Sequence, residues 1–151
     1  MKKLIFASTA TLLLCMCCMA CSDHDSVYFD DLPSAAQSFL QQYFPNNVVT
    51  QAERHKEEPR YEVTLDNGYE IDFYGDGRWQ EIDSNNAVLP SQLIKGVLPD
   101  NIIYYMASEY PEFEVSAIER SAAGYNIELA TTPTITLYFD PTGNVLESWD
   151  E

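Results

Sequence analysis

Carboxylates are the chemistry this sequence holds in quantity, with 24 Asp and Glu among 151 residues against 8 Lys and Arg and 2 His. Calcium is the metal such a chain suits, because it asks only for oxygen ligands. Asp72, Asp76 and Asp140 lie near hairpin ends and are the candidate calcium ligands. Ordinary turn chemistry accounts for them without a metal and is the preferred reading, since Asp and Asn favour turns for their local hydrogen bonds. The twelve-residue calcium-loop pattern is absent, as is a glycine-rich phosphate loop.

Nucleophilic and transition-metal chemistry need thiols or paired imidazoles. The four cysteines fall at 15, 17, 18 and 21, so none lies in the body of the chain. His24 sits in a short polar stretch. His55, beside Lys56, Glu57 and Glu58, reads as a solvated residue near a strand end. No histidine pair is expected. A hydrolase working through carboxylates such as Glu70 and Asp72 is the least favoured class, on the expectation that strand neighbours face opposite ways.

The cysteines point instead to export. Lys2 and Lys3 precede an uncharged run from Leu4 to Ala20, and Ser22, Asp23, His24 and Asp25 follow. A basic start, an apolar middle and a small residue before a cut make a secretory signal. The segment resembles a bacterial lipoprotein signal ending at Cys18, Met19, Ala20 and Cys21. Cys17 and Cys18 are rival acceptors, but only Cys21 follows a small residue. The reading is therefore a signal peptide over 1–20, a polar tether over 21–31, and an envelope protein held to the membrane by lipid on Cys21. Once Lys2 and Lys3 leave with the signal, six basic residues face 24 acidic ones. Such a surface repels nucleic acid and anionic lipid.

The elements that position these groups come from an internal repeat. Leu32-Pro33 opens a helical stretch closing at Tyr43-Phe44-Pro45, and Leu98-Pro99 opens one closing at Glu109-Tyr110-Pro111, 66 positions later. Ala52-Glu53-Arg54 matches Ile118-Glu119-Arg120 at the same offset. The strand Tyr61–Leu65 matches Tyr125–Leu129 at 64, and Phe73 and Gly77 match Phe139 and Gly143 at 66 again. Changes of offset between apolar segments are what altered turn lengths produce. Repeat 1 spans 32–88 and repeat 2 spans 89–151, with a further short helix expected at Pro90 to Val97.

Helical spacing of Ala36, Phe39, Leu40 and Tyr43, and of Ile103, Met106, Ala107 and Tyr110, predicts one inward face per helix. Pro33 and Pro99 suit the first helical position. Alternation in the strands turns Val63, Leu65, Ile71, Phe73, Ile127, Leu129, Leu137 and Phe139 toward the helices. The fold class is α+β, with two tandem units of a helix plus about four antiparallel strands and the helices on one face. The open face then presents Glu62, Glu70, Asp72 and Tyr74 in repeat 1, and Glu128 and Tyr138 in repeat 2. The strands around Trp79 and Trp149 carry apolar residues of both parities, so their faces stay open.

The Leu-Pro helix starts, the YEVTL and YNIEL strands and the Asp-Phe-Tyr-Gly-Asp-Gly-Arg-Trp hairpin resemble the PepSY-like family of exported Bacteroides-type proteins, related in fold to beta-lactamase-inhibitor proteins. That resemblance implies a binding architecture without a catalytic centre, in which the open sheet face grips a protein or peptide partner. No inhibitor contact motif is recognisable. The expected function is thus a non-catalytic, lipid-anchored binding or inhibitory module. Glu62, Glu70, Asp72, Tyr74, Glu128 and Tyr138 are its candidate contact residues, and a calcium-responsive sensor is the alternative.

Overall fold

The computed structural model describes residues 24–146. Cys21, the signal segment and Trp149 lie outside that range. The elements run β1 (His24–Ser26), a single 3-10 turn (Phe29–Asp31), α1 (Ser34–Tyr43), β2 (Val49–His55), β3 (Arg60–Leu65), β4 (Glu70–Tyr74) and β5 (Trp79–Asp83). They continue with α2 (Ser91–Val97), α3 (Asp100–Glu109), β6 (Val115–Ser121), β7 (Gly124–Leu129) and β8 (Ile135–Phe139). All eight strands form one antiparallel sheet in sequence order, β1 to β8. The two repeats therefore share a sheet, joined where Ile82 of β5 pairs with Ile118 of β6.

The repeat holds in detail. Each main helix starts after a proline with extended ψ, 142° at Pro33 and 144° at Pro99. Both prolines stand one position earlier than expected, as the residue preceding the first helical turn. Phe39 of α1 meets Phe73 edge-on at 5.7 Å and 81°, and Tyr105 of α3 meets Phe139 at 5.6 Å and 83°. These contacts fix each helix over its own strands through T-shaped aromatic pairs, a favoured geometry. Gly77, at φ 84°, lies so close to Ala36 and Pro33 that a Cβ would come within 2.8 Å of both. Gly143, at φ 81°, lies against the Asn101 side chain of α3, where a Cβ would come within 2.5 Å of Oδ1. In both repeats the hairpin tip packs under the start of the helix, where only glycine supplies the backbone and the space.

The strand parity holds: Val63, Leu65, Ile71, Phe73, Ile127, Leu129, Leu137 and Phe139 are all buried. The helical reading needs one correction. In α3 the fully buried residue is Ile102, while Ala107 is exposed, so the inward face is turned by about one position from the predicted one. Ile102 is the counterpart of Ala36, at the offset of 66, and both are fully buried.

The polar tether is also shorter than the sequence suggests. His24, Asp25 and Ser26 pair with His55, Arg54 and Glu53, making β1 an edge strand of three residues. Three polar residues are too few to show alternation. Repeat 2 contributes three strands within the described residues, and a bridge between Phe139 and Val145 begins the next pairing.

Candidate functional site

The helices cover one face of the sheet and leave the other open. Across that open face, one line of directly opposed residues runs through six strands. Glu53 of β2 pairs with Glu62 of β3, Glu62 with Asp72 of β4, Asp72 with Glu81 of β5, Glu81 with Glu119 of β6, and Glu119 with Asn126 of β7. Five carboxylates thus stand shoulder to shoulder. In the neighbouring line Glu70 opposes Asp83. Like charges directly opposite one another destabilise a sheet, and Arg60, 3.3 Å from Asp72, offsets only part of that cost.

Glu62, Glu70, Asp72, Glu81 and Asp83 line a depression of about 140 Å³. Burial raises the pKa of Glu81, and Asp72, Glu119, Asp83 and Glu128 all push it further up. Burial likewise raises that of Asp72, with Arg60 opposing and Glu62 adding to the rise. Both shifts have the same physical origin, since a carboxylate loses solvation on burial and gains repulsion from its neighbours.

Glu62, Glu70, Asp72 and Glu128 all lie on this face. Glu70 and Asp72 are two positions apart on β4 and so share a face and the same depression; the expectation that separated them fails because alternation has a period of two. Tyr138 closes the central line opposite Asn126 and is 37% exposed. Tyr74 differs from it. Its hydroxyl donates to the Arg120 carbonyl at 2.8 Å, and the Arg78 guanidinium sits 5.5 Å from its ring centre.

Sequence reading missed Glu53, Glu81, Asp83 and Glu119. For Glu81 and Asp83 the cause is a bulge between Asp72 and Phe73 on the β4–β5 pairing, where Trp79 opposes Phe73 but Glu81 opposes Asp72. The extra residue lets both Trp79 and Ile82 turn inward, which breaks parity within β5. The offset of 66 between Glu53 and Glu119 was the one available signal.

The histidines also need correction. His24 and His55 meet edge-on with ring centroids 4.1 Å apart, because β1 lies against β2. His55 is not a solvated loop residue; its side chain is 14% exposed and sits 3.5 Å from Glu62. The Arg60 Nη2 lies 3.3 Å from His55 Nε2, and Nη1 lies 3.3 Å from Asp72. Arg60 thereby sets a positive charge against Asp72, the middle carboxylate of the line.

The calcium candidates fall in different settings. Asp72 belongs to the open face. Asp76 accepts bonds from the Arg78 amide and guanidinium, and Asp140 accepts from the amide and hydroxyl of Thr142 and from Asn144. These bonds hold the Asp140 carboxyl down to about 2. Asp76 and Asp140 are turn acceptors, as their chemistry allows. Among the described residues no group of three or more His, Cys, Asp or Glu is arranged to hold a metal ion.

This fold and face define the class of protein. The family model "Putative beta-lactamase-inhibitor-like, PepSY-like" matches residues 19–70 and 59–147, and the chain belongs to that PepSY-like family. A crystal structure of a "putative periplasmic protein" from Bacteroides vulgatus is similar at 28% identity and a TM-score of 0.74, covering 86% of this chain and 99% of that one. A "putative calcium-regulated periplasmic protein" from Bacteroides thetaiotaomicron is similar at 27% identity and a TM-score of 0.75, covering 85% and 98%. No curated protein matches the sequence.

Proposed function

We propose that this is an exported, non-catalytic binding module, anchored by lipid on Cys21, whose open sheet face engages a basic segment of a protein or peptide partner. The observation that carries the reading is the line of opposed carboxylates from Glu53 to Glu119. A cationic partner would relieve repulsion already present in the free protein, so the gain on binding is larger than the pairing of isolated surface charges. Tyr138, at the end of the line, supplies an aromatic contact of the kind on which binding energy concentrates. The periplasmic description of the similar Bacteroides structures supports export.

The test is binding of the mature domain to a set of Lys- and Arg-rich peptides and their Gln-substituted counterparts. Affinity should fall steeply with salt and fall at least tenfold in the Glu81→Gln, Glu119→Gln double variant. Equal binding of basic and neutral peptides would overturn the reading. Anchoring is tested separately by labelled palmitate, which Cys21→Ser should no longer incorporate.

A second reading is that the same carboxylates take up calcium, in keeping with the description of the Bacteroides thetaiotaomicron structure. The observation that favours it is the depression shared by Glu62, Glu70, Asp72, Glu81 and Asp83, whose crowded oxygens are the ligand type calcium takes. A melting temperature that rises several degrees in millimolar calcium, and not in the Glu81→Gln variant, would establish it.

A further inference from the structure

We infer that the protein stands end-on at the membrane, with the hairpin loops at 56–59, 75–78 and 121–124 and the segment at 140–144 toward the lipid headgroups and the opposite end of the sheet projecting outward. This rests on the lipid anchor at Cys21 proposed above. His24 enters the sheet beside His55, at the end of β2 that leads into the loop at 56–59. Arg60 opposite Tyr74, and Tyr125 opposite Phe139, place the other three segments at that same end. Cys21 is three positions from His24, a reach of about 10 Å even if the chain is fully extended. A lipid on Cys21 therefore holds this end of the sheet at the bilayer.

The charge distribution fits that placement. Arg54, Lys56, Arg60, Arg78 and Arg120, five of the six basic residues among those described, cluster at the end where the chain enters. They sit among five acids of that end, Asp25, Glu57, Glu58, Asp76 and Asp140, so the charges there balance; Lys56 pairs with Asp25, Arg78 with Asp76, and Arg60 with Asp72 of the central line. At the opposite end the connections at 44–48, 66–69, 84–90, 111–114 and 130–134 contain no Lys or Arg. Asp66, Glu112 and Glu114 lie there, with Glu70, Asp83 and Glu128 at the nearby ends of their strands.

Strands of five to seven residues separate the two ends by roughly 17 to 23 Å. The screening length at physiological salt is about 8 Å. Anionic headgroups therefore act on the balanced end and hardly on the acidic one. Turned over, the same molecule would press its uncompensated carboxylates against lipid phosphates. An apolar groove of about 550 Å³ lined by Phe44, Val48, Val49 and Leu65 opens at the outer end, and so faces away from the membrane.

The mature chain holds no cysteine but Cys21, so single labels are clean. Ala122→Cys and Val48→Cys variants of the full lipoprotein, each carrying a thiol-reactive fluorophore, are placed on vesicles of phosphatidylethanolamine and phosphatidylglycerol containing headgroup-nitroxide lipid. Quenching at 122 should exceed that at 48 several-fold. Equal or reversed quenching of protein that floats with the vesicles overturns the orientation and leaves the anchor standing. Failure of the protein to float overturns the anchor and the orientation together. Adding Lys56→Glu and Arg78→Glu should weaken quenching at 122 on phosphatidylglycerol-rich vesicles; unchanged quenching would overturn the role given to charge.

Discussion

The Tyr74 hydroxyl donates to the Arg120 carbonyl at 2.8 Å, reaching from β4 across β5 to β6 and so from one repeat into the other. Arg120 in turn donates to the Trp79 carbonyl and lays its guanidinium 4.3 Å from the Trp79 ring centre. The junction between repeats is therefore held by side chains as well as by the β5–β6 ladder. Tyr74→Phe, which removes only the hydroxyl, should cost about 0.5 to 1.5 kcal/mol. Tyr138→Ala should stay within about 0.5 kcal/mol, as exposed substitutions usually do. Urea unfolding of both variants checks the contrast, and equal losses would remove the special role of Tyr74.

Phe73 and Phe139 are 0% and 1% exposed, each under an aromatic ring of its own helix. Replacing either with Ala should cost roughly 3 to 5 kcal/mol, because the lost burial is compounded by a cavity that a close-packed sandwich of helix and sheet fills poorly. Denaturant midpoints measure this directly. A loss under about 1 kcal/mol at either site would mean that its helix is not seated on the sheet as described.

The Glu81 carboxyl is raised by burial and by four neighbouring carboxylates. A group with a raised folded pKa favours folding fully only below its unfolded value, and that advantage is lost as pH rises through the folded value. Glu81→Gln should therefore stabilise the protein at pH 7, and the gain should shrink toward zero as pH falls to the ordinary carboxylate range near 4. Melting temperatures of variant and parent across pH 4 to 7 decide it; a gain that grows on acidification would contradict the burial and repulsion assigned to this residue.

Much of the fold was legible in the sequence because each piece of evidence was local. Proline at helix starts, glycine in hairpins and alternation along β3, β4, β7 and β8 depend on chain geometry within a few residues, and the offset of 66 reported the same unit twice. Bulges were not legible. In β2 the step from Val49 to Gln51 skips Thr50, and in β6 the step from Val115 to Ala117 skips Ser116. In each case the hydroxyl of the extra residue lies within hydrogen-bonding distance of a carbonyl on the next strand, Thr50 to Thr64 at 3.1 Å and Ser116 to Glu128 at 3.4 Å.

The sequence by itself determined which residues go inward, that two like units follow one another, and that the open face is polar. Only the tertiary structure decided that the units share one sheet, that β1 completes its edge through His24 and His55, and that Glu53, Glu62, Asp72, Glu81 and Glu119 form a single line. The reason is register. Which residue opposes which is set by bulges, turn lengths and the docking of β5 on β6, all of them pairings between distant segments, whereas alternation along one strand records only which face a side chain takes.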